Sequence, residues 1–181
     1  MTFRELKLKG AFEIQIDPKS DERGYFARTY DEKVFAEHGL PTEWSEESES
    51  FSVKKGTVRG LHFQHPPYAE TKLVRCASGE VFFALVDLRK DSPTFGKWDS
   101  VVLSAEKKNM VLAPRGFANG MCTLTDECRL HYKMDSVYDP ASADVIRWDD
   151  PDLGIEWPIS EPAAISEKDK NAKSFKEFAT T

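Results

Sequence analysis

Short apolar runs alternate with clusters of Gly, Pro, Asp and Ser from about Ser52 to Lys133. Runs of this length between turn-forming residues are typical of successive antiparallel strands. The clearest is Val81–Val86, which is apolar throughout and predicts a strand buried on both faces. Further strands are predicted at Lys72–Cys76, Trp98–Leu103, Asn109–Ala113, Met121–Leu124 and Arg129–Met134. Six or more strands at this spacing predict an all-β sandwich or barrel.

The N-terminal flank predicts two smaller elements. Phe12, Ile14 and Ile16 alternate with polar residues, which indicates a half-buried strand. The segment Asp31–His38 predicts a short helix that is capped by Asp31 and stopped by Gly39. We interpret this helix as a packing element.

The C-terminal flank is rich in Pro, Asp and Ser beyond Asp139, and Ser166 with Asp169 has the spacing of a helix N-cap. No internal repeat or low-complexity linker divides the chain. We therefore expect one domain over residues 1–181, with an N-terminal strand segment at about 1–50, a barrel at about 51–140 and a C-terminal segment at about 141–181.

Composition agrees with one buried core, because 40% of the 181 residues are hydrophobic and 12% are aromatic. The net charge of -6 argues against nucleic acid or an anionic membrane as a partner, so any anionic ligand must meet locally placed arginines. No run approaches the roughly 18 apolar residues of a membrane span, and the first residues have no signal-peptide core. We expect a cytoplasmic protein.

Three cysteines, Cys76, Cys122 and Cys128, form an odd and sparse set with neither a disulfide framework nor the spacing of a zinc site. We expect them to be reduced and buried. His62 and His65 could begin a metal site, but residues three apart on a strand face opposite sides, and no further ligand pattern follows. We therefore expect no metal.

The four histidines are the candidate bases near neutral pH. His38 ends the predicted helix, where a cation is favoured by the helix dipole, so its predicted role is structural. His131 and Tyr132 must point to opposite faces of their strand, and we predict that Tyr132 points inward. His62, between Arg59 and Gln64, would by spacing alone be a hydrogen-bonded core residue.

A succession of motifs carries a resemblance to a known family. The motifs are Gly56–Gln64, Lys72–Arg75, Gly79–Val81, Val86–Arg89, Ser92–Gly96, Pro114–Ala118, Tyr138–Pro140, Arg147–Pro151, Gly154–Pro158 and Ser166–Asp169. In order and spacing they resemble the dTDP-4-dehydrorhamnose 3,5-epimerase family over nearly the whole chain. The resemblance implies an all-β, cupin-type jelly-roll β-barrel with a few short peripheral helices. It also implies no metal or other cofactor, and a homodimer in which the N-terminal strand of each subunit joins its partner's sheet.

The resemblance further implies roles for individual residues. His62 corresponds to a general base, Asp169 to its orienting partner and Tyr132 to the opposing acid. Lys72 corresponds to the lysine that stabilises the enolate oxyanion. The residues implied in substrate binding are Arg23 and Arg59 for the diphosphate and sugar, Phe26 and Tyr138 for the nucleotide base, and Gln64 and Lys168 within the matching motifs.

The chain departs from the family pattern at two places. The family's Gly-Phe-Ala-His-Gly has Asn119 in place of the histidine, and an amide keeps hydrogen bonding but cannot titrate. The family's Gln-x-Asn is represented by Glu46 and Ser48, which changes polar groups expected near the substrate. These differences affect substrate and regiochemistry more than reaction class.

The function implied is epimerisation at C3 and C5 of dTDP-4-dehydro-6-deoxy-D-glucose, which yields dTDP-4-dehydro-L-rhamnose. A second reading is epimerisation of a single carbon, or of another nucleotide-linked 4-keto-6-deoxy sugar such as a CDP- or GDP-sugar. A third is a catalytically silent cupin that binds a sugar nucleotide, against which the joint presence of His62, Lys72, Tyr132 and Asp169 argues.

Overall fold

The computed structural model describes residues 1–180, and its architecture is mostly β. In chain order the elements are β1 (Thr2–Glu5), β2 (Phe12–Gln15), β3 (Lys19–Asp21), β4 (Gly24–Phe26), α1 (Glu32–Glu37), β5 (Glu46–Ser52), β6 (Val58–Gln64), β7 (Lys72–Ser78), β8 (Glu80–Asp87), β9 (Trp98–Ser104), β10 (Asn109–Ala113), β11 (Phe117–Thr123), β12 (Cys128–Met134), β13 (Ala143–Val145), α2 (Glu167–Lys170) and α3 (Phe175–Ala179).

The two main sheets have six and five strands. The six-stranded sheet has the order β1-β2-β10-β7-β12-β5, and the five-stranded sheet has the order β13-β6-β11-β8-β9. All pairs within them are antiparallel, and many neighbours are distant in sequence, as in a jelly roll. Strands β3 and β4 form a separate hairpin. The predicted all-β, cupin-type fold is confirmed.

Alternate residues of both sheets meet in the interior. Val74 and Leu130 from the six-stranded sheet pack with Phe83, Leu85 and Met121 from the five-stranded sheet in one buried cluster. Strict alternation places these side chains on one face of each strand, which is the period expected of packed sheets. This apolar cluster fills part of the interior, and polar side chains line another part.

Each sheet is also covered on its outer face. The helix α1 inserts Phe35 against Ile14, Met110 and Leu112 of the six-stranded sheet. The C-terminal segment covers the five-stranded sheet with an aromatic cluster that includes Phe175 and Phe178. Because both faces of the five-stranded sheet are buried, Val81–Val86 is a nearly continuous apolar run, as predicted.

The predicted elements agree with the structure except at their ends. Helix α1 has Asp31 as N-cap, and Gly39 follows it with a φ of 66°. The main difference is β11, which begins at Phe117, four residues before the predicted start at Met121. Asn119 and Gly120 interrupt the apolar pattern there, because this part of the strand lines a polar cavity. Within residues 1–180 no helix is both long and apolar enough to cross a membrane.

Candidate active site

A cavity of about 540 Å³ opens beside β6 and continues inward. The outer cavity is lined by polar and charged groups that include Arg59, His62, Glu70, Lys72, Tyr138, Lys168 and Asp169. A smaller inner cavity of about 220 Å³ is lined by Ser50, Arg59, His62, Lys72, Phe83, Asn119, Gly120, Met121 and Tyr132. Arg59, His62 and Lys72 line both and therefore mark the passage between them.

The two main sheets supply different members of the inner cavity. His62 lies on β6 of the five-stranded sheet, whereas Lys72 on β7 and Tyr132 on β12 belong to the six-stranded sheet. A ligand in the inner cavity would therefore meet an imidazole from one sheet and a phenol and an ammonium from the other. This arrangement places titratable groups on two sides of a bound molecule.

A β-bulge in β6 places Arg59 on the same face as His62. Asn119 of β11 pairs with His62 and Met121 pairs with Arg59, so two residue steps on β11 match three on β6. Strict alternation would have turned Arg59 away. The guanidinium is held by Ser52 and Phe51 of β5, since Nε donates to Ser52 Oγ at 3.2 Å and Nη2 donates to the Phe51 carbonyl at 3.0 Å.

Glycine is required where β6 and β11 approach each other. A Cβ on Gly60 would lie 2.6 Å from Gly120 Cα, and the φ of Gly60 is 118°. The bulge frees the Gly60 N–H from the strand ladder, and this N–H donates instead to Asp169 Oδ2 at 3.0 Å. The sequence pattern of Arg59 followed by glycine is thus explained by a close strand approach and a bond to Asp169.

His62 and Asp169 form a hydrogen-bonded pair. The His62 Nε2 lies 2.7 Å from Asp169 Oδ1, and the two side chains are 42% and 4% exposed. Burial by itself would raise the pKa of Asp169, but the hydrogen bond and charge of His62 and the Gly60 N–H outweigh it and lower that pKa. Asp169 is therefore held as a carboxylate. When it accepts a hydrogen from Nε2, Nδ1 carries the lone pair and can act as a base.

The C-terminal segment carries Asp169 to this position. Thr57 forms a parallel bridge with Ala164, and Ile146 forms one with Lys173, so the segment is fixed on both sides of α2. Ser166 caps α2 by accepting from the Asp169 backbone N–H at 3.1 Å, which confirms the predicted cap. Asp169 thus donates its backbone N–H to the helix cap and bonds His62 with its side chain.

Tyr132 points inward and His131 points outward, as predicted. The Tyr132 hydroxyl lies 3.1 Å from Ser50 Oγ, whereas His131 contacts Glu49 and Arg75 on the outer face. Burial raises the pKa of Tyr132, against opposing effects of the Ser50 hydrogen bond and the Arg59 charge. Tyr132 is accordingly a protonated donor at neutral pH.

The remaining histidines have structural partners. His38 Nδ1 bonds the Val34 carbonyl at 2.8 Å and its ring stacks on Phe3. His65 Nε2 lies 2.9 Å from Asp144 Oδ2 and does not join His62. Within residues 1–180 no group of three or more His, Cys, Asp or Glu side chains is arranged to hold a metal ion.

Comparison with known proteins agrees with this geometry. The family model for dTDP-4-dehydrorhamnose 3,5-epimerase matches residues 5–177. The chain belongs to this epimerase family. The enzyme of that name from Methanothermobacter thermautotrophicus is 45% identical over 177 residues, which cover 97% of this chain and 95% of the relative. The dTDP-4-dehydrorhamnose 3-epimerase of Streptomyces niveus is 37% identical over 173 residues, covering 95% and 83%.

Solved structures extend the agreement to three dimensions. The crystal structure of dTDP-4-dehydrorhamnose 3,5-epimerase from Bacillus anthracis str. Ames, with TDP and PPi bound, has a TM-score of 0.93 at 36% identity. The match covers 96% of this chain and 98% of that chain. As a member of this family the protein is an isomerase of the epimerase class.

Not all residues implied by the family resemblance lie together in this epimerase chain. His62, Asp169, Tyr132, Lys72, Arg59, Asn119, Gln64, Tyr138 and Lys168 line the outer or inner cavity. Arg23 and Phe26 do not, since they lie in the β3–β4 hairpin with side chains largely exposed. Arg23 pairs instead with Asp21.

Two polar candidates have contacts within the chain that favour supporting roles. Gln64 donates to the carbonyls of Tyr68 and Val137 and accepts from the Asp139 N–H, so its amide is occupied in holding the loop around Tyr138. Glu46 Oε1 accepts from the Tyr138 N–H at 3.2 Å.

Ser48, by contrast, is exposed on β5 opposite Tyr132 in the strand register and lies outside the cavity lining.

Two residues of the site were missed by sequence reasoning. Ser50 contacts the Tyr132 hydroxyl, and it shares strand parity with Glu46 and Ser48, which could have indicated it. Glu70 lies 3.1 Å from Lys72 Nζ, and its position two residues before Lys72 was the available indication.

Proposed function

We propose that this chain epimerises C3 and C5 of dTDP-4-dehydro-6-deoxy-D-glucose to give dTDP-4-dehydro-L-rhamnose. The observation that carries the proposal is the pairing of Asp169 with His62 of one sheet, while Tyr132 and Lys72 line the same inner cavity from the opposing sheet. An epimerase that inverts a carbon needs a base on one face and an acid on the other, and this arrangement supplies both.

In the mechanism we propose, His62 Nδ1 removes the proton from a carbon next to the C4 ketone. The C–H electron pair forms the C=C bond of an enolate, and the carbonyl π electrons move to the C4 oxygen. The Lys72 ammonium stabilises this oxyanion. Tyr132 then delivers a proton to the same carbon from the opposite face, and exchange with solvent restores the protonation states of Tyr132 and His62.

Asp169 supports the base in two ways. Its Oδ1 fixes the imidazole with the hydrogen on Nε2, and its negative charge stabilises the imidazolium that forms when Nδ1 takes the proton. The lowered pKa of Asp169 keeps it ionised throughout the cycle. The pairing of a buried carboxylate with a partly exposed imidazole therefore suits proton abstraction near neutral pH.

For the nucleotide we propose the outer cavity, with Arg59 and Lys168 contacting the diphosphate and Tyr138 contacting the base. Arg59 is the best placed of these, because it is anchored to β5 and lines both cavities. A planar guanidinium offers paired donors to phosphate oxygens. These locally placed cations meet an anionic ligand in a chain whose net charge is -6.

We also propose that the protein is a homodimer, in which the β3–β4 hairpin of one subunit completes the site of the other. Arg23 and Phe26 lie outside the cavity of their own chain, and Tyr25 and Phe26 are 61% and 72% exposed. Exposed aromatic residues of this kind are typical of contact surfaces. Strand β1 is an edge strand, which offers an unpaired edge to a partner's sheet. Sedimentation at micromolar concentration is expected to give a dimer, and an active monomer would contradict it.

Catalysis without metal and a cytoplasmic location are part of the same proposal. The deprotonation needs no Lewis acid where an ammonium stabilises the enolate. The three cysteines are free and buried, as expected of a protein in a reducing compartment.

A second candidate is epimerisation of one carbon alone. The 37% identical relative from Streptomyces niveus is a 3-epimerase. In this chain Asn119, which replaces the histidine of the family pattern, lines the inner cavity. Its amide donates to the His62 carbonyl at 3.3 Å, which keeps it close to the base. The replacement of histidine by Asn119 affects the orientation of the bound sugar more than the abstraction of its proton.

The test is incubation in heavy water with dTDP-, CDP- and GDP-linked 4-keto-6-deoxy sugars, with deuterium at C3 and C5 measured by NMR. We expect deuterium at both carbons of the dTDP sugar. His62→Ala should slow the exchange by about 10²- to 10⁴-fold. Deuterium at C3 alone would favour the second candidate, and no exchange with any sugar would favour a silent binding protein.

A further inference from the structure

The lysine of the inner cavity has a largely buried carboxylate as its partner. Lys72 Nζ lies 3.1 Å from Glu70 Oε1, and the two side chains are 15% and 10% exposed. Both residues line the outer cavity, and Lys72 also lines the inner one. The pair therefore lies at the passage where the sugar would meet His62.

Position in the chain explains the contact. Glu70 lies two residues before Lys72, at the point where the chain enters β7. Residues two apart in an extended segment point to the same side, so both side chains turn toward the cavity. An ammonium has three hydrogens. The ion pair with Glu70 occupies one side of the ammonium, and its remaining hydrogens can point toward a ligand.

A lysine that stabilises an oxyanion must be held in place before the reaction. Its side chain has four rotatable bonds, and ordering it costs conformational entropy at the moment of reaction unless the protein has already fixed it. The backbone of β7 fixes only the Cα end. The ion pair with Glu70 holds the ammonium end as well.

The charge of Glu70 acts in the opposite direction, because a carboxylate repels the oxyanion. The ammonium lies against the carboxylate, and an enolate oxygen bonded to Lys72 is nearer to the ammonium than to Glu70. Coulomb interactions fall with distance, so the nearer attraction exceeds the farther repulsion. The benefit of Glu70 therefore comes from the ion pair that orients Lys72 and not from any direct effect of its charge on the enolate.

We propose that Glu70 is a positioning residue for the epimerisation, which holds Lys72 Nζ at the site of the enolate oxygen through their ion pair. This inference rests on the proposed function. The proposal predicts a different result for each of three substitutions. Glu70→Gln keeps an acceptor oxygen of the same reach and removes the charge. Glu70→Ala removes the acceptor. Lys72→Ala removes the group that Glu70 would position.

The experiment measures exchange rates at saturating substrate in heavy water for these variants and for the double variant Lys72→Ala/Glu70→Ala. Loss of one oxyanion donor typically lowers kcat by about 10²- to 10³-fold, which we expect for Lys72→Ala. Glu70→Ala should lower kcat by roughly ten- to a hundredfold with KM little changed, since the lysine remains but is no longer oriented. Glu70→Gln should lower kcat less than Glu70→Ala does, because its amide oxygen still attracts the ammonium although the full charge is lost. Adding Glu70→Ala to Lys72→Ala should cost less than about twofold more, because residues that act as a unit are not additive.

A matched control is Glu47→Ala, which breaks a 2.8 Å ion pair with Lys133 on the exposed face of the same sheet and should leave kcat unchanged. Melting temperatures identify variants that fold poorly. If Glu70→Ala alone is unstable, the comparison of the double variant with Lys72→Ala decides, because the double variant removes both members of the ion pair together.

A wild-type rate in Glu70→Ala, a Glu70→Gln rate as low as that of Glu70→Ala, or a full additive loss in the double variant would each overturn the inference. The wild-type arm tests the proposed function separately. If the wild type exchanges no sugar, the proposed function fails and the inference fails with it. If the wild type is active and the cycle is additive, only the role of Glu70 fails.

Discussion

Asp169→Asn is the sharpest test of the base, because it keeps the shape of the side chain and changes only its charge and bonding. Asp169 uses Oδ1 for His62 and Oδ2 for the Gly60 N–H, whereas an amide has one oxygen. If that oxygen faces Gly60, the amide NH₂ faces His62 and places the ring hydrogen on Nδ1, the wrong tautomer for a base. If it faces His62, the NH₂ opposes the Gly60 N–H.

The size of the effect follows from the lost charge. At an effective dielectric constant of about 20, unit charges about 4 Å apart attract by about 4 kcal/mol. His62 is 42% exposed, so solvent screening reduces this value, and about 2–3 kcal/mol is a fair expectation for its imidazolium. Each ~1.4 kcal/mol is a factor of ten in rate, so kcat should fall by roughly 30- to 200-fold. The helix cap survives, because Ser166 accepts from the Asp169 backbone.

Deuterium exchange at saturating dTDP-4-keto sugar measures the loss, and the melting temperature checks the fold. Glu167→Gln is the matched control, since it makes the same chemical change on an exposed residue of the same helix. It should leave kcat unchanged. If Asp169→Asn also kept kcat within about threefold of the wild type, Asp169 would be only a helix residue and the proposed base mechanism would be refuted.

Three further predictions follow from the site and the fold. Asn119→His should shift preference among dTDP-, CDP- and GDP-linked sugars more than it raises the exchange rate; an unchanged preference would remove Asn119 from substrate selection. EDTA should leave activity unchanged, and loss that a divalent metal restores would contradict metal-free catalysis. Burial of Asp87 is outweighed by hydrogen bonds from Arg89, Ser92 and Thr94, which lower its pKa from 3.8 to about 2. Its roughly 2 kcal/mol of stability is present above the unfolded pKa and is lost as pH falls through about 2, so denaturant unfolding of wild type and Asp87→Asn should converge in acid.

Much of the fold could be predicted from local pattern. Val81–Val86, Lys72–Cys76 and Asn109–Ala113 fall within or match observed strands, because their apolar runs are bounded by turn residues that act locally. The start of β11 was missed, since Asn119 and Gly120 serve the cavity and break the apolar pattern. Strand prediction from the apolar pattern fails where the strand residues line a functional cavity instead of packing in the core.

The site was predicted unevenly for a similar reason. His62, Lys72, Tyr132 and Asp169 were named through the family resemblance, and the structure brings all four to one cavity system. Spacing alone would have left His62 as a core residue. Ser50 and Glu70 belong to no motif that was recognised. Their roles depend on their contacts with Tyr132 and Lys72, which only the folded chain shows.

The sequence by itself determined the strand-rich pattern, the cap at Ser166 and the placement of His131 and Tyr132 on opposite faces of their strand, since each depends on residues within a few positions of one another. Only the tertiary structure decided the pairing of His62 with Asp169, which are 107 residues apart. It also decided the face of Arg59, because a bulge opposite Asn119 and Met121 shifts strand parity. Contacts across sheets depend on register and chain path, which local periodicity does not encode.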